Sequence, residues 1–226
     1  MKKLLLALLT SLLLVGCAPA APATDSAKVE TTTPEVAAVK ELPATIDTTK
    51  NYKPTKDGAE EPCKAGVYNP ACSSIDASNL FEYVGRDDVI YIDLRDYVDY
   101  SQKHLRNFEV IPFFAYIYNE EAGKDDTKPQ LYGGKLDALT ATYEESDVLL
   151  EVLFPKDKTI FLMCQGGGRV VQMMKILEAK GYDMSKIYNV GGMGQYTGPE
   201  FKDITVDTLE FKVDATYSFE GLNKAK

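Results

Sequence analysis

The sequence predicts an α/β domain: a parallel sheet flanked by helices. Three observations predict it. A near-continuous apolar run at 89–94 is the kind of strand buried on both faces of a parallel sheet, and 159–163 and 187–190 read as further strands. Segments of helical spacing lie between them, and strands that alternate with helices imply right-handed parallel crossovers. The strand at 159–163 feeds directly into Cys164-Gln165-Gly166-Gly167-Gly168-Arg169 and then an amphipathic helix.

The elements follow in chain order. Lys2 and Lys3 precede an apolar run over 4–15 that is too short to span a bilayer as a stable helix. The run ends in Leu14-Val15-Gly16-Cys17, which resembles the lipobox of bacterial lipoproteins. The resemblance implies a signal peptide over 1–16 and a diacylated Cys17 as the mature N-terminus. The protein is then expected to be a membrane-anchored lipoprotein on the extracytoplasmic side of the cell envelope. Residues 17–59 are rich in Ala, Pro, Thr, Lys and Glu without apolar period, and are expected to be a disordered tether. The folded part is placed at 60–226, with a core over 75–198 and a C-terminal β extension.

Cys63 and Cys72 lie nine apart in a Pro- and Gly-containing loop. Outside the cytoplasm such a pair reads as a disulfide, the alternative being two free thiols. The single histidine, His104, and Cys164 sit in other elements, which argues against zinc. The net charge is −9 and becomes −11 once 1–16, with two lysines and no acid, is removed. That balance argues against nucleic acid as a partner.

Within the domain, 76–84 is expected as a short helix capped by Asp76, and 96–104 as another, carrying Tyr97 and Tyr100. A strand candidate at 109–114 is interrupted by Pro112. Residues 119–134 are expected as a long polar loop and 136–154 as mainly helix. The helix over 169–180 turns Val170, Met173, Met174 and Leu177 inward and stops at Gly181. Alternation over 204–219 predicts one or two strands.

The 160–180 stretch carries the chemistry. A strand that enters a glycine-rich loop and then a helix gathers backbone N–H groups and the positive helix end around one point. A cysteine there is expected to be held as thiolate, the nucleophilic form. Three successive glycines and an arginine have little reason to follow an inert core thiol.

In this order the motifs resemble the rhodanese (sulfurtransferase) family. They are Val-Ile-Tyr-Ile-Asp-Leu-Arg at 89–95, Tyr-Ser-Gln-Lys-His-Leu at 100–105, Ile-Pro-Phe at 111–113, the cysteine loop at 164–169, and Asn-Val-Gly-Gly-Met-Gly-Gln-Tyr at 189–196. The resemblance implies that Cys164 accepts a sulfane sulfur from a small anionic donor of the thiosulfate type, as a persulfide. It then passes the sulfur to a thiol or other thiophilic acceptor, without metal or organic cofactor. Arg169 would bind the anionic donor, and the N–H groups of Gln165, Gly166, Gly167, Gly168 and Arg169 would stabilise the thiolate and persulfide. Four residues between Cys164 and Arg169, against five in cysteine phosphatases, make a cradle that suits sulfur better than phosphate. Asp93 and Arg95 resemble an internal pair, with Arg95 a further candidate at the pocket edge, and His104 is expected to be structural. The alternative is a rhodanese-like module that works in thiol–disulfide exchange or protein binding. The sequence departs from the family pattern in the Val170-Val171 start of the helix, in Tyr196, and in a long polar stretch at 119–147.

Overall fold

Parallel strands need long crossovers, and three of them organise this chain. The computed structural model describes residues 40–208, 213 and 215–225. In chain order these form β1 (Asn51–Tyr52), β2 (Glu61–Pro62), β3 (Val89–Asp93), α1 (Tyr97–Gln102), β4 (Lys103–Leu105) and β5 (Glu109–Val110). Then come β6 (Tyr132–Lys135), β7 (Ala138–Ala141), α2 (Ser146–Leu153), β8 (Thr159–Cys164), α3 (Gly168–Ala179), β9 (Ile187–Gly192) and β10 (Thr205–Asp207). No helix among the described residues is long and apolar enough to cross a membrane.

The central sheet has the order β5-β3-β8-β9, and all its pairings are parallel. Period-2 alternation sorts its side chains between two cores. Ile92, Ile160 and Leu162 face one core, where Leu150 and Phe154 pack beside Val170, Met173, Met174 and Leu177 of α3. Val89, Tyr91, Phe161, Met163, Tyr188 and Val190 face the other, with Ile75, Leu80, Leu105, Phe108 and Tyr196. Each large apolar side chain buried this way contributes about 1.5–3 kcal/mol. Both faces are covered, which is why the strands are mostly apolar, with Asp93 and Asn189 as buried polar exceptions.

Several expectations are corrected. The expected helix over 76–84 reduces to one 3-10 turn at Leu80–Glu82. The Asp76 side chain accepts from the Ser78 amide at 2.9 Å, so it caps a turn rather than a helix. The helix expected over 96–104 stops at Gln102, because β4 leaves it to pair antiparallel with β10. Residues 113–117 form a π-helical turn after Pro112 instead of continuing a strand. The region 132–141 is a β-hairpin, with Tyr132 opposite Ala141, and α2 begins only at Ser146. Leu139 and Ala141 therefore alternate on a strand where helical spacing was expected. In the C-terminal extension β10 is a strand, whereas 215–219 is not, and residues 209–212 and 214 lie outside the described residues.

Residues 40–59, expected as the end of a disordered tether, lie against the domain. The Tyr188 hydroxyl donates to the Pro43 carbonyl at 2.5 Å, Asp47 N–H donates to Cys72 O at 2.8 Å, and β1 pairs with β2. Leu42 packs on the second core. The signal peptide over 1–16, the lipidation candidate Cys17 and the tether up to residue 39 lie outside the described residues. Cys63 and Cys72 are joined as a disulfide whose Cα atoms are 5.4 Å apart.

Candidate active site

The chain leaves β3 toward β5 on one side, and leaves β8 toward β9 on the other. The crevice outside the C-terminal ends of β3 and β8 is therefore the switch point of the sheet, where ligands bind in open α/β folds. Cys164 is the last residue of β8, and Leu94 follows the last residue of β3.

Cys164 is 2% exposed and is the free cysteine among the described residues. Its Sγ accepts a hydrogen bond from the Gly167 N–H at 3.1 Å. Gly167 stands at φ +86°, the left-handed region that a residue with a Cβ resists, and this turn aims its N–H back at sulfur. Helix α3 starts at Gly168, and its first backbone bond runs from Val171 N–H to Gly167 O at 3.1 Å. The N–H groups of Gly168, Arg169 and Val170 thus have no acceptor within the helix and sit at its positive end. Gln165, Gly166 and Gly168 are exposed at the surface of the loop.

A second glycine explains how the loop is backed. Gly192 pairs with Cys164 across the β8–β9 irregularity, and Gly194 N–H donates to Gln165 O at 3.2 Å. A Cβ on Gly192 would meet the Gln165 carbonyl carbon at 2.4 Å and Gly166 N at 2.5 Å, so only glycine lets β9 lie this close. The Asn189 amide links this strand end to the N-terminal segment: it donates to Tyr68 O at 2.8 Å and accepts from Gly191 N–H at 3.0 Å. Burial, reinforced by Glu178, pushes the Tyr68 phenol well up, so it stays neutral.

Arg169 turns toward β3. Its Nη1 donates to Leu94 O at 3.3 Å and lies 3.8 Å from the Asp96 carboxylate, and the guanidinium sits 5.4 Å from the centre of the exposed Phe114 ring. The loop and the switch-point crevice are thereby joined by one cationic side chain.

Arg95 is corrected as a pocket-edge candidate. Its side chain is 3% exposed and grips the fully buried Asp93 carboxylate, with Nη2 to Oδ2 at 2.7 Å and Nε to both oxygens at 3.0–3.1 Å. Nη2 also donates to Lys103 O at 2.6 Å. The guanidinium is committed to tying β3 to β4 and is not available to an anion in the crevice. His104 lies on β4, its Nδ1 2.9 Å from Tyr100 O and its ring stacked on Tyr100, which is a structural placement.

Leu94 O, Asp96, Phe114 and Gly192 join the site without having been singled out in the sequence for it. Asp96 and Phe114 are local to motifs that were noticed. Their approach to Arg169, though, spans 73 and 55 positions, and no local spacing carries it.

A family model for the rhodanese-like domain matches residues 76–198. Among solved structures, a rhodanese with anions from E. coli is 21% identical and covers 53% of this chain and 98% of its own, with a TM-score of 0.31. The rhodanese-like domain of a protein from Anabaena sp. is 14% identical over 67% of this chain and 91% of its own, with a TM-score of 0.37. A protein from Staphylococcus saprophyticus subsp. saprophyticus is 20% identical over 66% of this chain and 97% of its own, with a TM-score of 0.32. No curated protein matches. With more than half of its length matched by that model, and its cysteine loop within the matched part, the chain belongs to the rhodanese-like domain family.

Proposed function

We propose that the protein is a rhodanese-type sulfurtransferase in which Cys164 carries a sulfane sulfur as a persulfide. The observation that carries this reading is the Gly167 N–H aimed at Cys164 Sγ at 3.1 Å, at the start of a helix and beside an arginine. The Cys164 thiolate attacks the outer sulfur of a thiosulfate-type donor. A new S–S bond forms on Cys164, the donor's S–S bond breaks, and sulfite leaves with the electron pair. A thiophilic acceptor, such as cyanide or a thiolate, then attacks the terminal sulfur and returns Cys164 as thiolate. No net electrons are gained or lost by the protein.

The chain's residues supply binding and charge stabilisation. Gly167 N–H and the first-turn N–H groups of α3 hold negative charge on whichever sulfur bears it. Arg169 attracts the anionic donor and the sulfite leaving group, while Leu94 O and Phe114 hold its side chain over the crevice. Gln165, Gly166 and Gly168 form the exposed lip that the donor crosses.

The compartment belongs to the same proposal. The Leu14-Val15-Gly16-Cys17 pattern supports a lipid anchor on Cys17, and the Cys63–Cys72 disulfide suits an oxidising, extracytoplasmic setting. The test of activity is thiocyanate formation from thiosulfate and cyanide, with Cys164→Ala alongside. Thiocyanate that requires Cys164, together with one added sulfur by mass on that residue, is the expected result. No transfer from any sulfane donor to a folded protein whose Cys164 still reacts with thiol reagents overturns it.

A further inference from the structure

The disulfide-closed loop lies outside the matched residues, yet it reaches the site. Built on Gly167, a Cβ would stand 2.7 Å from Pro70 Cγ, 3.1 Å from its Cβ and 3.3 Å from its Cδ. The Pro70 ring therefore packs directly on Gly167, the residue that donates to Cys164 Sγ. Pro70 has little freedom to leave. It opens the 3-10 turn Pro70–Cys72, which the Asn69 side chain caps by accepting from Ala71 N–H at 2.9 Å. Cys72 at the turn's end is bonded to Cys63, and both flanks are pinned to the preceding segment, Cys63 N–H to Lys50 O at 3.0 Å and Asp47 N–H to Cys72 O at 2.8 Å. Tyr68 in the same loop accepts from Asn189, whose own oxygen orders the Gly191-Gly192 end of β9 behind the cysteine loop.

We propose that the 63–72 loop, locked by its disulfide, is the positioning element of the cysteine site, and that Pro70 is a positioning residue that holds Gly167 in the conformation that aims its N–H at Cys164 Sγ. The inference rests on the sulfurtransferase reading only for its kinetic consequence; its geometric consequence stands without it. A sharp turn at φ +86° relaxes when one wall is removed. With Pro70 in place the left-handed glycine is confined from outside and by its own N–H···S bond. Without that wall the N–H samples directions away from sulfur, and the cradle is no longer organised before the donor arrives. Opening the disulfide frees the same wall at its base, so both perturbations act through one contact.

The experiment uses the full chain from residue 18 and three variants: Pro70→Gly, Cys63→Ser/Cys72→Ser, and all three changes together. Thermal melts establish that each is folded. Thiocyanate turnover is expressed per titrated Cys164, so a loss of folded protein does not count. In Pro70→Gly and in the disulfide variant kcat is expected to fall about tenfold or more, with KM for thiosulfate within about twofold of the parent, because the arginine is untouched. The triple variant is expected to be no worse than either, as two breaks in one path should be. In parallel, the Gly167 amide resonance of ¹⁵N-labelled protein should move in all three, while those of β3 and β8 stay in place. A variant that merely loosens the whole domain would move both sets. If the disulfide variant does not fold, Pro70→Gly with its disulfide intact decides. Unchanged turnover per thiol and an unmoved Gly167 resonance in folded Pro70→Gly overturn the proposal. If the parent transfers no sulfur at all, the activity reading fails and the Gly167 resonance alone decides this one.

Discussion

Gly192→Ala adds one methyl group to the strand that backs the cysteine loop. Its backbone, at φ −146° and ψ 156°, is open to any residue, so the conformation itself carries no penalty. The whole effect is steric. The new Cβ would start 2.4 Å from the carbonyl carbon and oxygen of Gln165 and 2.5 Å from Gly166 N, where ordinary contact begins at 3.4 Å. All three atoms are backbone, with no flexible side chain to swing away. The loop must then retreat from β9 by about 1 Å, since packed interiors leave no void to absorb the group. Overpacking of this kind costs about 1–3 kcal/mol, which lowers the melting temperature of a domain of this size by roughly 2–12 °C. The kinetic loss is larger in proportion. On the proposed sulfurtransferase reading, a displacement of about 1 Å in the loop that cradles Cys164 costs on the order of a hundredfold in kcat/KM, about 2.7 kcal/mol of transition-state stabilisation. The assay is thiocyanate formation over a range of thiosulfate concentrations, at a temperature well below both melts. A folded Gly192→Ala protein with kcat/KM within threefold of the parent would refute the reasoning, since the loop would then have moved without consequence or not moved at all.

Three further predictions concern stability and location. Asp93→Ala leaves the Arg95 guanidinium buried without its carboxylate, which costs about 3–5 kcal/mol and lowers the melt by roughly 6–20 °C; Asp93→Leu combined with Arg95→Met should recover most of the loss, and equal melts for the single and paired changes would contradict the pairing. Burial pushes the Asp76 carboxyl up, but the Ser78 hydroxyl and amide and the Lys50 ammonium outweigh it, so the group titrates below the usual carboxylate range. Its stabilising contribution is therefore complete above the unfolded value near pH 3.9 and is lost as pH falls through the lower folded value; Asp76→Asn should flatten the acid limb of stability against pH, and an unchanged limb counts against it. Metabolic labelling with radioactive palmitate should mark the parent chain and leave Cys17→Ala unlabelled, and equal label on both would exclude Cys17 as the lipid site.

The strands β3, β8 and β9 and the helix α3 were legible because local chemistry dictates them. Strands covered on both faces are apolar over most of their length, and α3 shows its inward stripe and its Gly181 stop within one short window. The cysteine loop was legible for the same reason: strand, thiol, three glycines, arginine and helix follow one another without a break over 160–180. The hairpin β6–β7 was not, because Leu136, Leu139 and Tyr143 fit helical spacing while Leu139 and Ala141 fit alternation, and the pairing with Tyr132–Lys135 decides between them. The end of α1 was hidden too. Lys103–Leu105 leaves the helix for a partner strand about a hundred positions away, a tertiary gain that no propensity at 103 records.

By itself the sequence determined that a parallel α/β sheet presents a cysteine in a glycine loop at a helix N-terminus, since each of those parts is written in consecutive residues. Only the tertiary structure decided what surrounds that loop. It set Arg95 inward on Asp93, turned Arg169 onto Leu94 and Phe114, laid Gly192 against Gln165, and brought Pro70 down on Gly167. Apart from the Arg95–Asp93 pair, two positions apart on one strand end, these contacts join residues 27 to 97 positions apart, and they form because closing the sheet brings its strand ends together, not because the neighbouring residues prefer them.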